Sequence, residues 1–474
     1  MGNVYRNDKD YAFKRMQTRL KDNRNKYKYT GQRLEAQLLE EIDNQIKTLQ
    51  TSKPHKKIEF NDDILEIIKE EFNGCDIYSM SEEELSAMRV SIDELRDEYT
   101  LLEMGAKTLM NAAYGASASP FFYFFNCALA ADITGECRNL TKTMWNNLEH
   151  FFHETVWERK DLWEKFGFEL DESKHDWYRE QHISIYSDTD SVYTTYGTFF
   201  DCWTPESLAK VPTQMDKIKW ILDFNNRFID GQNNEWCREI YEPRFGKNVH
   251  EFELETINYG QINLKKKKYL KGYAYVKGKW YEKPKISGTG IELIKSTTPA
   301  LCREILKDLM ESLLLEYDEK NKSSYLLAFN QKLRDYRRKF YQAPVDDISQ
   351  SIGVGDYKKY VLEDEHELAL GKQCPVSVQA IARFNYLAHK NGEDNKKQYS
   401  GKIKYYNITI GGNKKTATTG YFGFPAGECP NWAPPMDKLT QWRKNVIDPI
   451  NRFLEVMQIP LADATNTIQL NLFE

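Results

Sequence analysis

Two carboxylates one residue apart, Asp188 and Asp190, lie in the stretch Tyr186-Ser187-Asp188-Thr189-Asp190-Ser191. The flanking runs, His182 to Ile185 and Val192 to Thr195, are rich in β-branched residues and alternate as half-buried strands do. A polar tip between two such runs predicts a tight hairpin, because Asp and Ser side chains satisfy turn backbone locally. Acids at a hairpin tip are badly placed for burial and well placed to hold a hard divalent cation. Solvated turn acids are the ordinary alternative, so the neighbouring motifs decide. Upstream, Lys107, Asn111 and Tyr114 recur with helical spacing ahead of Gly115, so one helix face carries all three. An ammonium and an amide on one face can engage phosphate oxygens, and the Tyr ring can pack beneath a base or ribose. A lysine that only snorkels beside core residues is the alternative. Gly115 lets the chain leave the helix and lets another strand pass close to its backbone. Downstream, Lys265, Lys266, Lys267 and Lys268 precede Tyr269. Such a run is commonly a solvated charge cluster, but it also suits sequence-independent contact with backbone phosphates.

The set K-x-x-x-N-x-x-Y-G at 107–115, Y-x-D-T-D-S at 186–191 and K-K-x-Y at 266–269, in this order, resembles the family-B replicative DNA polymerases. The variant is most similar to those of tailed bacteriophages, and the resemblance runs from about residue 10 to the C-terminus. Two positions depart from it: Ser187 stands where the family usually has Gly, and Ala112 where it usually has Ser. The resemblance implies template-directed transfer of a nucleotide from a dNTP to the primer 3′-hydroxyl on primer–template DNA. It also implies a pair of Mg2+ ions, with Mn2+ as an alternative. Asp190 is then a direct metal ligand, and Asp188 is a further ligand or a group that acts through the first. Glu255, in Phe252-Glu253-Leu254-Glu255-Thr256-Ile257, resembles a third carboxylate of the phage enzymes; a solvated strand edge shared with Glu253 is the alternative. Lys107, Asn111 and Tyr114 bind the nucleotide. Arg24 and Lys28, four apart among the basic residues crowding Lys14 to Arg33, resemble the family's phosphate clamp, with Arg19 as runner-up. Gly115, Lys266, Lys267 and Tyr269 meet DNA. The stretch Ser351 to Gly355 with Lys358 and Lys359 is either a further contact to duplex phosphate or a plain loop. Near the C-terminus, Gln469, Leu470, Leu472 and Phe473 resemble the peptide that docks into sliding clamps; a packed terminal strand is the alternative.

The elements that must position these groups read as α+β, and the resemblance implies the family's right-hand architecture of fingers, palm and thumb. Fingers over 1–117 form a helical hairpin. Leu34, Leu38, Ile42 and Ile46 make one seam, and Ser81 to Glu84 make a capping box that opens the second long helix. A palm over 118–295 carries helices, the carboxylate hairpin, strands from His250 to Ile257, and a hairpin from Tyr269 to Tyr281 that turns at Lys277-Gly278. A mostly helical thumb over 296–464 opens at Thr298-Pro299, read as an N-cap and first helical residue. Within it Tyr405 to Ile410 reads as a strand. Residues 465–474 form a flexible clamp-binding tail.

With 71 acidic against 66 basic side chains the net charge is −5, so no global basic field advertises nucleic acid, and positive charge must be local. The eight cysteines include no C-x-x-C pair and no zinc spacing. The aromatic run Phe121 to Phe125 is far too short to span a bilayer, and no apolar leader or lipidation signal follows Met1. The expected setting is a cytoplasm, that of the host if the protein is phage-encoded, with no membrane partner. The family's palm also needs a strand D-x-x-S-L-Y-P, bearing the other catalytic Asp and a steric-gate Tyr, which this sequence lacks. The nearest lookalike, Asp76-Ile77-Tyr78-Ser79-Met80, falls between finger helices and is rejected. The expectation is therefore the C-terminal subunit of a split polymerase, completed by a separate N-terminal polymerase/exonuclease polypeptide. The C-terminal part of a longer chain is the second reading, and a non-catalytic DNA- and clamp-binding accessory or inactive remnant the third.

Overall fold

Leu34, Leu38 and Ile42 line one side of an unbroken rod: α1 (Ala12–Arg33), a π-helical turn (Leu34–Leu39) and α2 (Glu40–Thr51). α3 (Asp62–Glu71) follows, and then α4 (Glu82–Ser117), which runs back antiparallel to the rod. The capping box forms as read: Glu84 N donates to Ser81 Oγ at 3.3 Å and Ser81 N donates to Glu84 Oε2 at 2.8 Å. Leu38, Ile42, Ile64, Leu85 and Ile92 are fully buried where the helices meet. Each such side chain contributes about 1.5–3 kcal/mol, so the far half of this hairpin packs on itself. Glu41 is buried there too, accepting from Tyr78 Oη at 2.8 Å and pairing with His55 Nε2 at 2.8 Å. That pair ties the non-helical residues 52–60 to the rod.

The computed structural model describes residues 12–123, 125–248, 250–361, 370, 373–411, 418–427 and 429–463. The chain is α+β, with small antiparallel sheets. It divides into two compact units, Met1–Lys142 and Thr143–Glu474. The hairpin above belongs to the first, and the division falls within α5 (Cys127–His150). Among the described residues no helix is long and apolar enough to cross a membrane.

The second unit holds an aromatic core of Phe152, Phe199, Trp203 and Phe224, packed between the end of α5 and α6 (Gln214–Phe224). α7 (Asp230–Phe245) then leads toward three antiparallel strands in the order β3-β4-β5, preceded in sequence by the β1-β2 hairpin: β1 (Ser184–Asp188), β2 (Ser191–Thr194), β3 (Thr256–Lys265), β4 (Lys268–Val276) and β5 (Lys279–Thr289). The β4–β5 turn sits at Lys277-Gly278 as expected, both at positive φ. β3 starts at Thr256, however, so residues 250–255 are not the strand the sequence suggested. His250 N instead donates to Asn248 Oδ1 at 2.9 Å and Phe252 N to Asn234 Oδ1 at 3.2 Å.

One face of β3 and β4, through Ile262 and Leu270, shares a core with α8 (Ala300–Leu315), α9 (Lys322–Gln342) and a helix near the C-terminus. Packing is continuous across position 295: Leu301, Ile305 and Leu309 share this core with Ile262 and Leu270. α8 starts one residue later than read, with Pro299 itself at the N-cap. The region after 296 is also less helical than expected. It contains a second three-stranded antiparallel sheet, β6 (Gln350–Val354), β7 (Gly401–Ile410) and β8 (Thr418–Phe424), covered by α10 (Val376–Lys390). Alternate residues Tyr406, Ile408, Phe422 and Phe424 pack on Phe384. The strand pattern at Tyr405–Ile410 was legible alone; its partners were not.

Candidate active site

The β1–β2 hairpin reverses in two residues, Thr189 and Asp190, with Asp188 opposite Ser191. Thr189 has φ 59°, a conformation that a β-branched residue rarely adopts. The Asp190 amide donates to the Asp188 carbonyl at 2.7 Å, and Ser191 Oγ donates to the same oxygen at 3.0 Å. Strained turns of this sort persist where the surroundings over-determine them, and they concentrate at functional sites. The turn leaves Asp190 exposed and Asp188 half-buried, with Thr189 Oγ1 donating to Asp188 Oδ1 at 3.2 Å. At the other end, Glu149 on α5 holds the start of β1. Its Oε1 accepts from the amides of Ile183 at 3.1 Å and Ser184 at 2.6 Å. No pattern in the sequence pointed to Glu149, because the contact joins residues more than thirty positions apart.

The lysine motif meets this hairpin. Lys266 and Lys267 form the β3–β4 turn and are not on a strand as read; Lys265 and Lys268 end the ladder, and Lys267 has φ 59°. The Lys267 amide donates to the Tyr186 phenol at 2.9 Å, and its ammonium lies 3.4 Å from Asp188 Oδ1. Tyr269, buried on β4, packs against Tyr186 and Tyr193 with ring centroids 5.6 and 6.0 Å away. Its hydroxyl is 3.4 Å from that of Tyr193. Burial works to raise the Tyr269 phenol, but hydrogen bonds with Thr289 and Tyr193 and the Lys271 charge outweigh it, leaving the group below the ordinary tyrosine value. Burial pushes Tyr193 in the opposite direction, well up.

Gly290 closes the back of this turn. It has φ +62°, and a Cβ there would stand 2.3 Å from the Lys267 carbonyl oxygen. Gly290→Ala is therefore expected to lower stability by about 1–3 kcal/mol, read as a lower urea midpoint at unchanged slope. An unchanged midpoint would mean that the turn tolerates displacement.

Glu255 is not brought to the carboxylates. It pairs with Lys277 at 2.8 Å at the far end of the β3–β4 ladder, where Thr256 faces Val276. The Lys266–Lys267 turn closes the opposite end, roughly 30 Å away at about 3.3 Å per residue. Among the described residues no group of three or more His, Cys, Asp or Glu side chains is arranged to hold a metal. The donors at hand are two hard carboxylates on a strained, open turn. They fit Mg2+, which is commonly held by one or two carboxylates with substrate phosphates and water completing its shell.

In the first unit, Lys107 and Asn111 are exposed on α4, Tyr114 is half-buried, and open space surrounds the Gly115 Cα. Across the helical hairpin Arg24 bonds to Glu103 at 3.2 Å, and the Tyr27 and Tyr99 rings meet at a tilt, centroids 6.3 Å apart. Antiparallel helices advance equally, so Lys107 is level with about residue 20, flanked by Arg19 and Lys21. Arg24 is thus neutralised one turn short of Lys107. Lys28 lies a further turn off, its ammonium 5.3 Å from the Tyr29 ring. Ser351 to Val354 lie in the edge strand β6, not in a loop, and Lys358 and Lys359 are exposed on the short helix that follows. Gln469, Leu470, Leu472 and Phe473 lie outside the described residues. No protein-family model matches the chain, and no curated protein matches it either.

Proposed function

We propose that the chain forms fingers, palm and thumb of a DNA-directed DNA polymerase of the family-B type, with nucleotidyl transfer centred on the β1–β2 hairpin. One observation carries this reading. Motifs eighty-one residues apart in sequence meet at the Lys267–Tyr186 hydrogen bond, so the paired carboxylates and the basic turn occupy one place. A phosphoryl-transfer site needs both: acids to hold cations, and bases to hold the phosphate backbone that delivers the 3′-hydroxyl.

Asp190 and Asp188 would hold Mg2+, which when bound neutralises the triphosphate and lowers the cost of forming the attacking alkoxide. The Lys267 ammonium now on Asp188 is 60% exposed and exchanges cheaply for another cation. Lys107 and Asn111 grip the triphosphate, Tyr114 supports base and ribose, and a basic side chain at Arg19 or Lys21 completes the clamp. Lys266, Lys267 and Tyr269 carry the duplex. The second catalytic Asp comes from a D-x-x-S-L-Y-P strand that this sequence does not contain, borne with the exonuclease by a separate N-terminal polypeptide or by further sequence of the same protein. Residues 469–473 tether a sliding clamp. A DNA-binding accessory without chemistry of its own is the second reading, favoured because among the described residues no third acid joins Asp188 and Asp190 at the site.

The two basic sites separate these readings. In the assembled enzyme Lys107→Ala should lower dNTP kcat/KM by about 10–100-fold, the worth of a hydrogen bond to a charged group, and leave duplex affinity within about twofold. Lys266→Ala and Lys267→Ala should weaken duplex binding and reduce its salt slope by about one unit per lost phosphate. Identical behaviour of the two sites would remove the polymerase assignment.

A further inference from the structure

The β1–β2 ladder is not regular. Ser184 faces Thr194 and Tyr186 faces Tyr193, so Ile185 has no opposite number and forms a β-bulge between the start of β1 and Asp188. Both sides of the bulge are tied down. Beyond it, the Tyr186 phenol accepts from the Lys267 amide at 2.9 Å, and its ring meets Tyr193 and Tyr269 at 5.3 and 5.6 Å. Before it, Glu149 Oε1 on α5 takes the amides of Ile183 at 3.1 Å and Ser184 at 2.6 Å. His153, in the π-helical turn Phe151–Thr155 that continues α5, donates from Nε2 to the Gln181 carbonyl at 2.8 Å. The same nitrogen lies 3.5 Å from Glu149 Oε2. The Glu149 side chain is 15% exposed, so water weakens these charge-assisted bonds little. A bulge costs ladder bonds that regular pairing of Ile185 with Thr194 would restore. The anchor opposes that change: regular pairing moves Ile183 and Ser184 by one residue, about 3.3 Å, and takes their amides out of reach of Oε1.

We propose that Glu149 is a positioning residue for the transfer reaction: its carboxylate holds β1 in the bulged register, and that register sets where Asp188 and Asp190 reach. The proposal rests on the reading above and deepens it by naming a group outside the hairpin on which the carboxylate site depends. Without the anchor the strand has two ways to lose its bulge. Its first residues slide while the tip stays with Lys267, or the tip moves by about 3.3 Å and leaves Lys267. A two-stranded sheet resists neither slip well by itself. A misplacement of about 1 Å can cost about 10²-fold in a reaction that depends on aligned groups. Among the described residues the hydrogen-bond and ion-pair partners of Glu149 are Ile183, Ser184 and His153, none of which is assigned to nucleotide or duplex. Turnover should therefore depend on Glu149 while substrate binding does not.

Amide exchange on the full chain and primer extension by the assembled enzyme test this together. In Glu149→Ala the Ile183 and Ser184 amides should exchange about 10–100-fold faster, the worth of a hydrogen bond to a charged group, while the core around Phe152 and Phe224 exchanges as before. At saturating dNTP and duplex, kcat should fall about 10²-fold, with dNTP KM and duplex affinity within about twofold. Glu149→Gln keeps an acceptor oxygen and should recover most of kcat. Glu149→Asp keeps the charge but is one methylene shorter, and should not. Wild-type kcat in Glu149→Ala with fast amides overturns the positioning role, and unchanged amides overturn the anchor itself. Core exchange that rises together with that of Ile183 and Ser184 also overturns the proposal, because Glu149 would then serve general stability. If Glu149→Ala does not fold, Glu149→Asp decides, and wild-type turnover in it overturns the proposal. If the wild-type assembly extends no primer, the polymerase reading falls and the reaction role of Glu149 falls with it, whatever the amides show.

Discussion

Under the proposed function, Asp190→Asn is expected to abolish primer extension by the assembled enzyme, lowering kcat by about 10³-fold or more, while duplex affinity stays within a few-fold. The size follows from charge. Metal ions contribute several kcal/mol of transition-state stabilisation, and each 1.36 kcal/mol is about tenfold in rate. Removing one proposed anionic ligand would weaken that hold without touching the lysines proposed to carry DNA. The fold should not respond, because the turn is closed by the Asp190 backbone amide, which Asn retains. Equal melting temperatures would verify this. Asp188→Asn is the informative companion. Asp188 accepts from Thr189 and faces Lys267, so it has local work to do beyond any ligand role. A loss as large as that of Asp190→Asn makes it a direct ligand; a loss of only about tenfold makes it a group that sets the turn and Lys267. Near-normal extension by Asp190→Asn sinks the catalytic assignment of the hairpin.

Local chemistry was legible wherever one short segment contained its own reason. The capping box at Ser81 and Glu84, the Lys277-Gly278 turn and the carboxylate hairpin were all read from a few adjacent residues, because caps and turns are satisfied within three or four positions. Contacts across long loops were not legible. Glu149 gives no local sign that it will hold the β1 backbone, and a Lys run looks the same whether it forms a strand or, as at Lys266 and Lys267, the turn between two. Arg24 had the right type and spacing for a phosphate clamp, but type and spacing do not say that Glu103 stands opposite. Glu255 shows the same limit. Its sequence context matched a motif, while the register of β3 against β4 put it at the wrong end of the sheet.

On the proposed reading, the chain alone is expected to add no nucleotide to a primer, and to do so once the D-x-x-S-L-Y-P strand is supplied. The β1–β2 sheet has only two strands, and such a sheet is marginal by itself. Both of its strands are edges, and Ile185 on β1 is 44% exposed, so a further strand has an apolar face to meet. In the first unit, the segment between α4 and α5 leaves Phe121 and Tyr123 almost entirely in solvent, at 97% and 92%. Aromatic side chains left this way are the mark of a surface that another chain segment covers. The proposed chemistry points the same way: among the described residues the turn supplies two acids, too few anionic ligands for a metal pair in in-line transfer. Purified alone, the chain is expected to bind duplex with the salt dependence of its lysine turn but to show no Mg2+-dependent extension. Co-expressed with, or joined to, the polypeptide encoded immediately upstream, it should form a 1:1 complex that extends the primer. Its interface should bury more than about 2,000 Å², in the range of obligate complexes. Mass measurement and primer extension on the two preparations decide the matter. Robust extension by the lone chain would mean that a second catalytic carboxylate lies within its own sequence. An inactive complex that still binds duplex through Lys266 and Lys267 would favour the accessory reading over catalysis.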